Sequence, residues 1–163
     1  MIDSFLPFKG MAKSMAVDDS TVKLFSDIKE AYELKEQAVT LPSLLKITMD
    51  RLMFFDALKE IWLVIDRANV YIETTAPWKL AKAKKDDELC LVIQNLAEVL
   101  KIVAQAVWPF MPTTGESIWV QLGLSGKPNS TPFDGKWGFF IKGGKIAKGA
   151  SLFPRIETEK KPT

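Results

Sequence analysis

The sequence predicts an all-α protein, an antiparallel bundle of about four or five helices followed by an irregular C-terminal tail. Two long segments, residues 54–74 and 86–107, place apolar side chains at the three- and four-residue spacing of an amphipathic helix. Residues 123–149 hold seven of the nine glycines, too many for a regular element. We therefore expect a helical bundle over residues 1–123 and an extended tail over residues 124–163 that packs back on another surface.

The first predicted helix begins near Val22 and spans about 18 residues, with polar residues around its apolar stripe. A cluster of helix-capping side chains at residues 18–20 precedes it. The first 18 residues carry no clear pattern. Pro42 predicts a break, or the first turn of a further helix, because proline has no backbone N–H to donate inside a helix.

The second predicted helix, over residues 54–74, has the clearest stripe, and it ends before Pro77 because proline disfavours the helical conformation of the preceding residue. We interpret Trp62, Trp108 and Trp119 as tryptophans that pack in the core or in grooves. The stripe comprises Leu58, Ile61, Trp62, Ile65, Ala68, Asn69 and Ile72.

After a single turn at residues 78–82, a third long helix is predicted to open at the acidic residues Asp86, Asp87 and Glu88, which suit a helix N-terminus. Its apolar stripe runs to Val107 and is followed by two prolines. A short helix over residues 113–122 completes the predicted bundle, and Gly123 closes it.

Composition excludes several classes of function. The chain has no histidine, which excludes Ser-His-Asp and Cys-His catalysis and every histidine-based metal site. Cys90, the one cysteine, has no partner for an internal disulfide and lies among apolar residues, so we interpret it as an inert packed thiol. We find no signal peptide and no apolar run approaching the ~20 residues that cross a bilayer, so we expect a cytoplasmic location, or an organelle matrix, and no membrane partner.

Net charge does not by itself indicate a nucleic-acid partner. Residues 1–123 carry 14 basic and 17 acidic side chains, a balance of −3, and residues 124–163 carry 8 basic and 3 acidic, a balance of +5; together they give the net +2 of the whole chain. The predicted bundle is slightly acidic and the tail is basic. On charge alone, a plain helical domain remains as good an interpretation as an RNA-binding one.

Four blocks of sequence resemble methionyl-tRNA synthetases of the bacterial type. RANVYIETTAPWKLAK at residues 67–82 resembles a family signature with Ala-Asn-x-Tyr, then Pro-Trp, then a lysine four residues past the tryptophan. FDALKEIW at 55–62, WPFMPTTGESIWVQLGL at 108–124 and WGFFIKGGKIAKGASLFPRIE at 137–157 are similar to flanking family segments in the same order. The resemblance extends from about Leu45 to Glu157. MAKS at residues 11–14 is an incidental match to the family's KMSKS loop.

The resemblance implies a class I synthetase anticodon-binding bundle, which in the family reads the CAU anticodon of methionine tRNA. It implies no catalysis and no cofactor for this chain alone, because ATP and methionine would bind a separate catalytic domain. We therefore expect two partners, methionine tRNA and that catalytic domain. The family also reads bases with an Asn-x-x-x-Arg pair on a preceding helix, and we expect this chain to begin too late to include it.

The resemblance also nominates a set of tRNA-binding residues. Trp78 is expected to stack on an unpaired base. Asn69 either holds the turn at Pro77 and Trp78 or points toward a base, and Tyr71 either closes that turn or faces the RNA. Arg67 and Lys82 either contact phosphates or bases or belong to a solvated basic loop. The candidate set is Trp78, Pro77, Asn69, Arg67, Tyr71 and Lys82.

Two other functions remain open. A free-standing bundle could bind another protein through the surface that would face the catalytic domain. The chain could also be the equivalent bundle of a leucine, isoleucine or valine enzyme, although those share the bundle without combining Asn-x-Tyr with Pro-Trp.

Overall fold

The structure is a computed structural model that describes residues 29–139 together with residues 146, 149 and 152. Every regular element in this part of the chain is helical, which confirms the all-α prediction. The cap at residues 18–20 and the start of the first predicted helix lie outside the described residues. The elements are α1 (Lys29–Asp50), α2 (Phe54–Thr75), α3 (Pro77–Lys82), α4 (Asp86–Val107), α5 (Pro112–Gln121) and a 3₁₀ turn (Pro128–Ser130).

The predicted break at Pro42 is wrong, because α1 runs through it without interruption from Lys29 to Asp50. Pro42 is buried, and so are Leu41 and Leu45 on either side of it. Burying two leucine side chains contributes about 3–6 kcal/mol, which offsets the backbone hydrogen bond that a proline cannot donate. Burial against α2 and α4 therefore outweighs the local preference of the proline to end the helix.

The predicted apolar stripe of α2 is rotated from the face that is actually buried. Trp62 is 47% exposed, which contradicts its interpretation as a core residue, and Asn69 is also exposed. Val64 and Tyr71, which lie outside the stripe, are buried instead. Tertiary packing causes this difference. Helix α2 packs against both α1 and α4, and its buried face therefore points to the groove between them. Trp119 is buried and Trp108 half-buried, as predicted.

Helix α4 is the central helix of the bundle and packs against α1, α2, α3, α5 and the 3₁₀ turn. Contrary to our expectation from sequence, it is long and apolar enough to cross a membrane by length and composition. Of its most apolar 18-residue window, however, 56% is buried inside the bundle. A helix that is apolar around most of its circumference is what a core helix requires, so this property is weak evidence for a membrane span.

Residues 128–139, which we call the strap, cross the groove between α1 and α4. Gln105 on α4 donates from Nε2 to the Pro128 carbonyl at 3.1 Å and to the Thr131 hydroxyl at 2.9 Å. Phe133 and Trp137 pack against the core that α1, α2 and α4 share. The described part of the predicted tail therefore packs on the bundle. Phe153, in the predicted tail, lies outside the described residues.

A buried acidic residue fastens the far end of the strap. Glu98 on α4 is fully buried and pairs with Lys101 at 3.1 Å. The same ammonium group donates to the Lys136 carbonyl at 2.9 Å and lies 5.5 Å from the centre of the Phe139 ring. Since a buried carboxylate is tolerated only when it is paired and hydrogen-bonded, the Glu98–Lys101 pair and the strap depend on each other.

A glycine substitution tests how closely the strap is held. A Cβ at Gly135 would lie 2.4 Å from the Val39 carbonyl oxygen of α1, and Gly135 also has a φ of +69°. We expect Gly135→Ala to lower the free energy of unfolding by about 3 kcal/mol, through the left-handed backbone and overpacking together. Urea unfolding monitored by circular dichroism measures this loss.

Gly126→Ala is the matched control for that measurement. Gly126 has a similar φ of +74°, but its nearest neighbour is the Ser130 hydroxyl at 2.9 Å, a side-chain group and not backbone, which is held by local hydrogen bonds with Lys127. We expect this variant to lose about 1–2 kcal/mol, less than Gly135→Ala, because the added Cβ meets a side chain and not the backbone of α1. Equal losses of unfolding free energy in Gly135→Ala and Gly126→Ala would show that the close approach of the strap to α1 does not contribute to stability.

Candidate nucleic-acid interface

A sharp kink joins α2 to α3 and sets the position of the candidate site. Ala76 has a φ of 44° and a ψ of 60°, in the left-handed region, and Pro77 opens α3 at its first position. A residue with a Cβ adopts this conformation at a cost of about 1–2 kcal/mol. The Ala76 N–H donates to the Ile72 carbonyl at 2.9 Å, which caps α2, and both Ala76 and Pro77 are buried. The kink is therefore held by packing and not only by the backbone.

Trp78 follows the kink and is 40% exposed. Pro77 and Leu80 face inward on α3, whereas Trp78 and Lys82 are exposed and lie one helical turn apart. An exposed indole beside a cation offers an apolar face to a nucleobase and a positive charge to the adjoining phosphate.

Four lysines follow the tryptophan within seven residues of the chain. Lys79, Lys82 and Lys84 are exposed, and none of them forms an ion pair within the described part of the chain. Lys85 differs, because its ammonium group pairs with Glu88 at 2.8 Å. The end of the bundle that carries Trp78 therefore has cationic groups that remain available to an anionic partner.

Asn69 does not occupy the position we predicted from its place in the stripe. It is exposed on α2, so it is not a buried amide that needs a partner. The described hydrogen bonds around the kink come from Thr75, whose hydroxyl donates to the Tyr71 carbonyl at 2.7 Å, and from backbone groups. Our prediction that Asn69 holds the turn at Pro77 and Trp78 is therefore wrong. Its exposed position is compatible with the other interpretation, contact with a base.

Tyr71 lies in the core and not at the surface. Its side chain is fully buried, and its hydroxyl oxygen accepts a hydrogen bond from Asn95 Nδ2 at 3.0 Å. Burial raises the pKa of the Tyr71 phenol, and the hydrogen bond from Asn95 partly opposes that shift. A group with no exposed surface does not contact RNA in this arrangement, which corrects the interpretation of Tyr71 as a residue that faces the RNA.

The sequence analysis missed Asn95. Its signal is the polar pair Gln94-Asn95 within an otherwise apolar run of α4, where an amide has to find a partner. That pattern could have indicated a polar contact between α4 and a neighbouring helix. It did not show that the partner is Tyr71, because the contact joins residues 24 positions apart in the chain.

Arg67 is engaged with another helix. Its Nη1 lies 2.7 Å from Oε2 of Glu33 on α1, and both side chains are about one-third exposed. Lys29 approaches the same carboxylate at 3.7 Å. Arg67 thus braces α2 against α1 near the end that carries Trp78, and its predicted contact with RNA remains a prediction.

The two ends of the bundle present different surfaces. Helices α1, α2 and α4 each contain 22 residues, so they extend about 33 Å. Trp78 and the lysines lie at one end. The turn between α1 and α2 lies at the other and exposes Leu52, Met53, Phe54 and Phe55. The candidate site residues that are accessible are therefore Asn69, Trp78 and Lys82, with Pro77 and Tyr71 beneath them.

Comparison with known proteins assigns the fold to a family. Residues 45–140 match the family described as the anticodon-binding domain of tRNA ligase. The chain is 40% identical over 130 residues to a methionine–tRNA ligase of Caldanaerobacter subterraneus and 42% identical over 132 residues to that of Clostridium acetobutylicum. These matches cover 78% and 79% of this chain and 20% of each relative.

A methionine–tRNA ligase of Bacillus subtilis is 41% identical over 113 residues, which cover 68% of this chain and 17% of the relative. The chain thus spans about a fifth of the length of the relatives it matches. The match falls on the anticodon-binding domain and shows no catalytic domain in this chain. The chain belongs to the anticodon-binding domains of methionyl-tRNA synthetases.

Proposed function

We propose that this chain binds methionine tRNA at the end of the bundle that carries Trp78 and reads the CAU anticodon there. The observation that supports it most strongly is the exposed Trp78 beside a kink whose residues Ala76 and Pro77 are buried, within a domain of the anticodon-binding family. The proposal assigns binding to this chain and leaves ATP, methionine and catalysis to the remainder of a full-length synthetase. It places the chain in the cytoplasm, where it would take part in translation.

Stacking is the physical basis of the proposed base recognition. Bases of an anticodon loop are unpaired and present flat apolar faces, and one base stacked on an aromatic side chain contributes about 1–3 kcal/mol. Because Pro77 is buried and Ala76 is in a defined left-handed conformation, the backbone that carries Trp78 needs little ordering when a base arrives. A preordered backbone lowers the entropic cost of binding, so more of the stacking energy contributes to affinity.

Stacking alone does not distinguish one base from another, so base selection needs polar groups near the ring. Asn69 is an exposed amide on α2, and we propose it as a group that contacts a base edge. We propose that Lys82, which is exposed one helical turn after Trp78, binds the phosphate next to the stacked base. Arg67 would have to exchange Glu33 for a phosphate, so we assign it a smaller part in binding.

The protein-interaction function is not favoured by these comparisons. All the relatives described above are methionine–tRNA ligases, and the family match covers the kink and both long helices that flank it.

Substitution of Trp78 tests the proposed stacking. We expect Trp78→Ala to weaken binding of methionine tRNA by about 1–3 kcal/mol, or roughly 5- to 150-fold, through loss of one stacked base. We also expect it to remove the preference for the CAU anticodon over the same tRNA with a changed anticodon. Fluorescence-anisotropy titrations with both tRNAs measure these effects.

Trp62→Ala is the matched control, since Trp62 is also exposed but lies on α2, 16 positions before Trp78. We expect it to leave both affinities unchanged. Wild-type protein that bound both tRNAs equally, with Trp78→Ala indistinguishable from it, would contradict the anticodon assignment.

The lysines make a separate prediction about salt. Each phosphate contact to a single strand contributes about 0.7 to the slope of log affinity against log salt. We expect Lys82→Gln and Lys79→Gln each to reduce that slope by about this amount while the preference for CAU is kept, because phosphate contacts carry no direct sequence information. Titrations at several salt concentrations measure the slope.

The control is Lys59→Gln, because Lys59 is exposed but lies near the other end of α2. We expect this variant to leave the slope and the preference for CAU unchanged. An unchanged slope in both Lys79 and Lys82 variants would place the phosphates elsewhere.

A further inference from the structure

The orientation of Trp78 depends on how the last turns of α2 sit on α4. The hydrogen bonds within the kink are local, from Ala76 to Ile72 and from Thr75 to Tyr71, so they fix the kink relative to α2 alone. Helix α3, which carries Trp78, packs on α4. Something must therefore fix the end of α2 on α4 if the indole is to keep one orientation.

Tyr71 and Asn95 form that link. Their hydrogen bond, 3.0 Å long, is the only side-chain hydrogen bond between α2 and α4 in the part of the chain that the structure describes. Tyr71 lies one turn before Thr75 and accepts the Thr75 hydroxyl at its own backbone carbonyl. Its side chain and its backbone thus connect α4 directly to the residue that precedes the kink.

A hydrogen bond supplies something that the surrounding apolar contacts do not. Apolar packing is non-directional and accepts small shifts of one helix along another, whereas a hydrogen bond requires a defined distance and angle. Because the Tyr71 ring is fully buried, its hydroxyl has no solvent to replace Asn95 if the helices shift. The pair therefore fixes the register of α2 on α4 directly beneath the kink.

We propose that Asn95 is a positioning residue for anticodon recognition, acting through Tyr71 and the Ala76–Pro77 kink to hold the Trp78 indole in its base-stacking orientation. The effect on RNA rests on the function proposed above. The effect on the orientation of Trp78 does not, and the two can be measured separately.

Paired substitutions separate positioning from stability. Tyr71→Phe leaves the Asn95 amide without its partner, and Asn95→Leu leaves the Tyr71 hydroxyl without its own. The double variant removes both polar groups while keeping similar shapes, a change that is often nearly neutral for stability. If the pair served stability alone, the double variant would behave as the wild type in every respect.

The first readout uses no RNA. The indole N–H resonances of the five tryptophans are recorded in ¹⁵N-labelled full chain, and that of Trp78 is assigned by its loss in Trp78→Phe. In the double variant we expect the Trp78 resonance to shift or broaden while those of Trp108 and Trp119 stay in place. The melting temperature is expected to stay close to that of the wild type.

The second readout is tRNA binding. We expect the double variant to bind the CAU tRNA about tenfold more weakly, comparable with losing one stacked base, and to discriminate less between anticodons. Gln105→Leu is the control, because it removes another amide contact from α4 at the end near the strap. It should leave the Trp78 resonance and the discrimination unchanged.

A double variant with an unchanged Trp78 resonance and unchanged discrimination would overturn the proposal. If that variant fails to fold, Tyr71→Phe alone carries the test, since it keeps the buried ring, and the same two outcomes decide. A shifted Trp78 resonance in a protein whose wild type does not prefer CAU would support the positioning role and refute the proposed function.

Discussion

The burial of α4 is the constraint on which the rest of the structure depends. This helix is apolar around most of its circumference, and the other helices of the described chain pack on it. The polar residues that interrupt its apolar surface are informative. Three acids occupy its exposed first turn, Glu98 is buried with Lys101, and Asn95 is paired with Tyr71. The buried Glu98, through Lys101, holds the strap on α4, and the half-buried Asn95 connects α4 to α2.

That packing explains how an unfavourable backbone conformation can be kept at the candidate site. Ala76 in the left-handed region costs about 1–2 kcal/mol. Burial of a single large apolar side chain contributes about 1.5–3 kcal/mol, and the kink brings Pro77 and Leu80 against the bundle. The balance favours the kink, and the consequence is that Trp78 is turned toward solvent.

The sequence was sufficient to predict the long helices α2 and α4 and the short turn at α3, because periodicity and proline positions are local signals. The candidate site residues were nominated by the resemblance to the family, and their contact with RNA stays a prediction. It was not sufficient to predict which face of α2 is buried. Trp62 and Asn69 belong to a regular apolar stripe, yet Val64 and Tyr71 are buried in their place, because the direction of the groove between α1 and α4 is set by distant residues. The pairings of Arg67 with Glu33 and of Tyr71 with Asn95 also join residues that are far apart in the sequence, so local patterns do not predict them.

The most direct test of the account is a map of where RNA touches the chain. Backbone ¹⁵N–¹H resonances of the full chain are recorded while an anticodon stem-loop with CAU is added. The account predicts that the largest shifts fall on residues 76–85 and on the exposed side of α2 near Asn69, with none at residues 52–55 on the opposite end. Shifts concentrated at residues 52–55, or no shifts at all, would contradict the assignment of the anticodon site to Trp78.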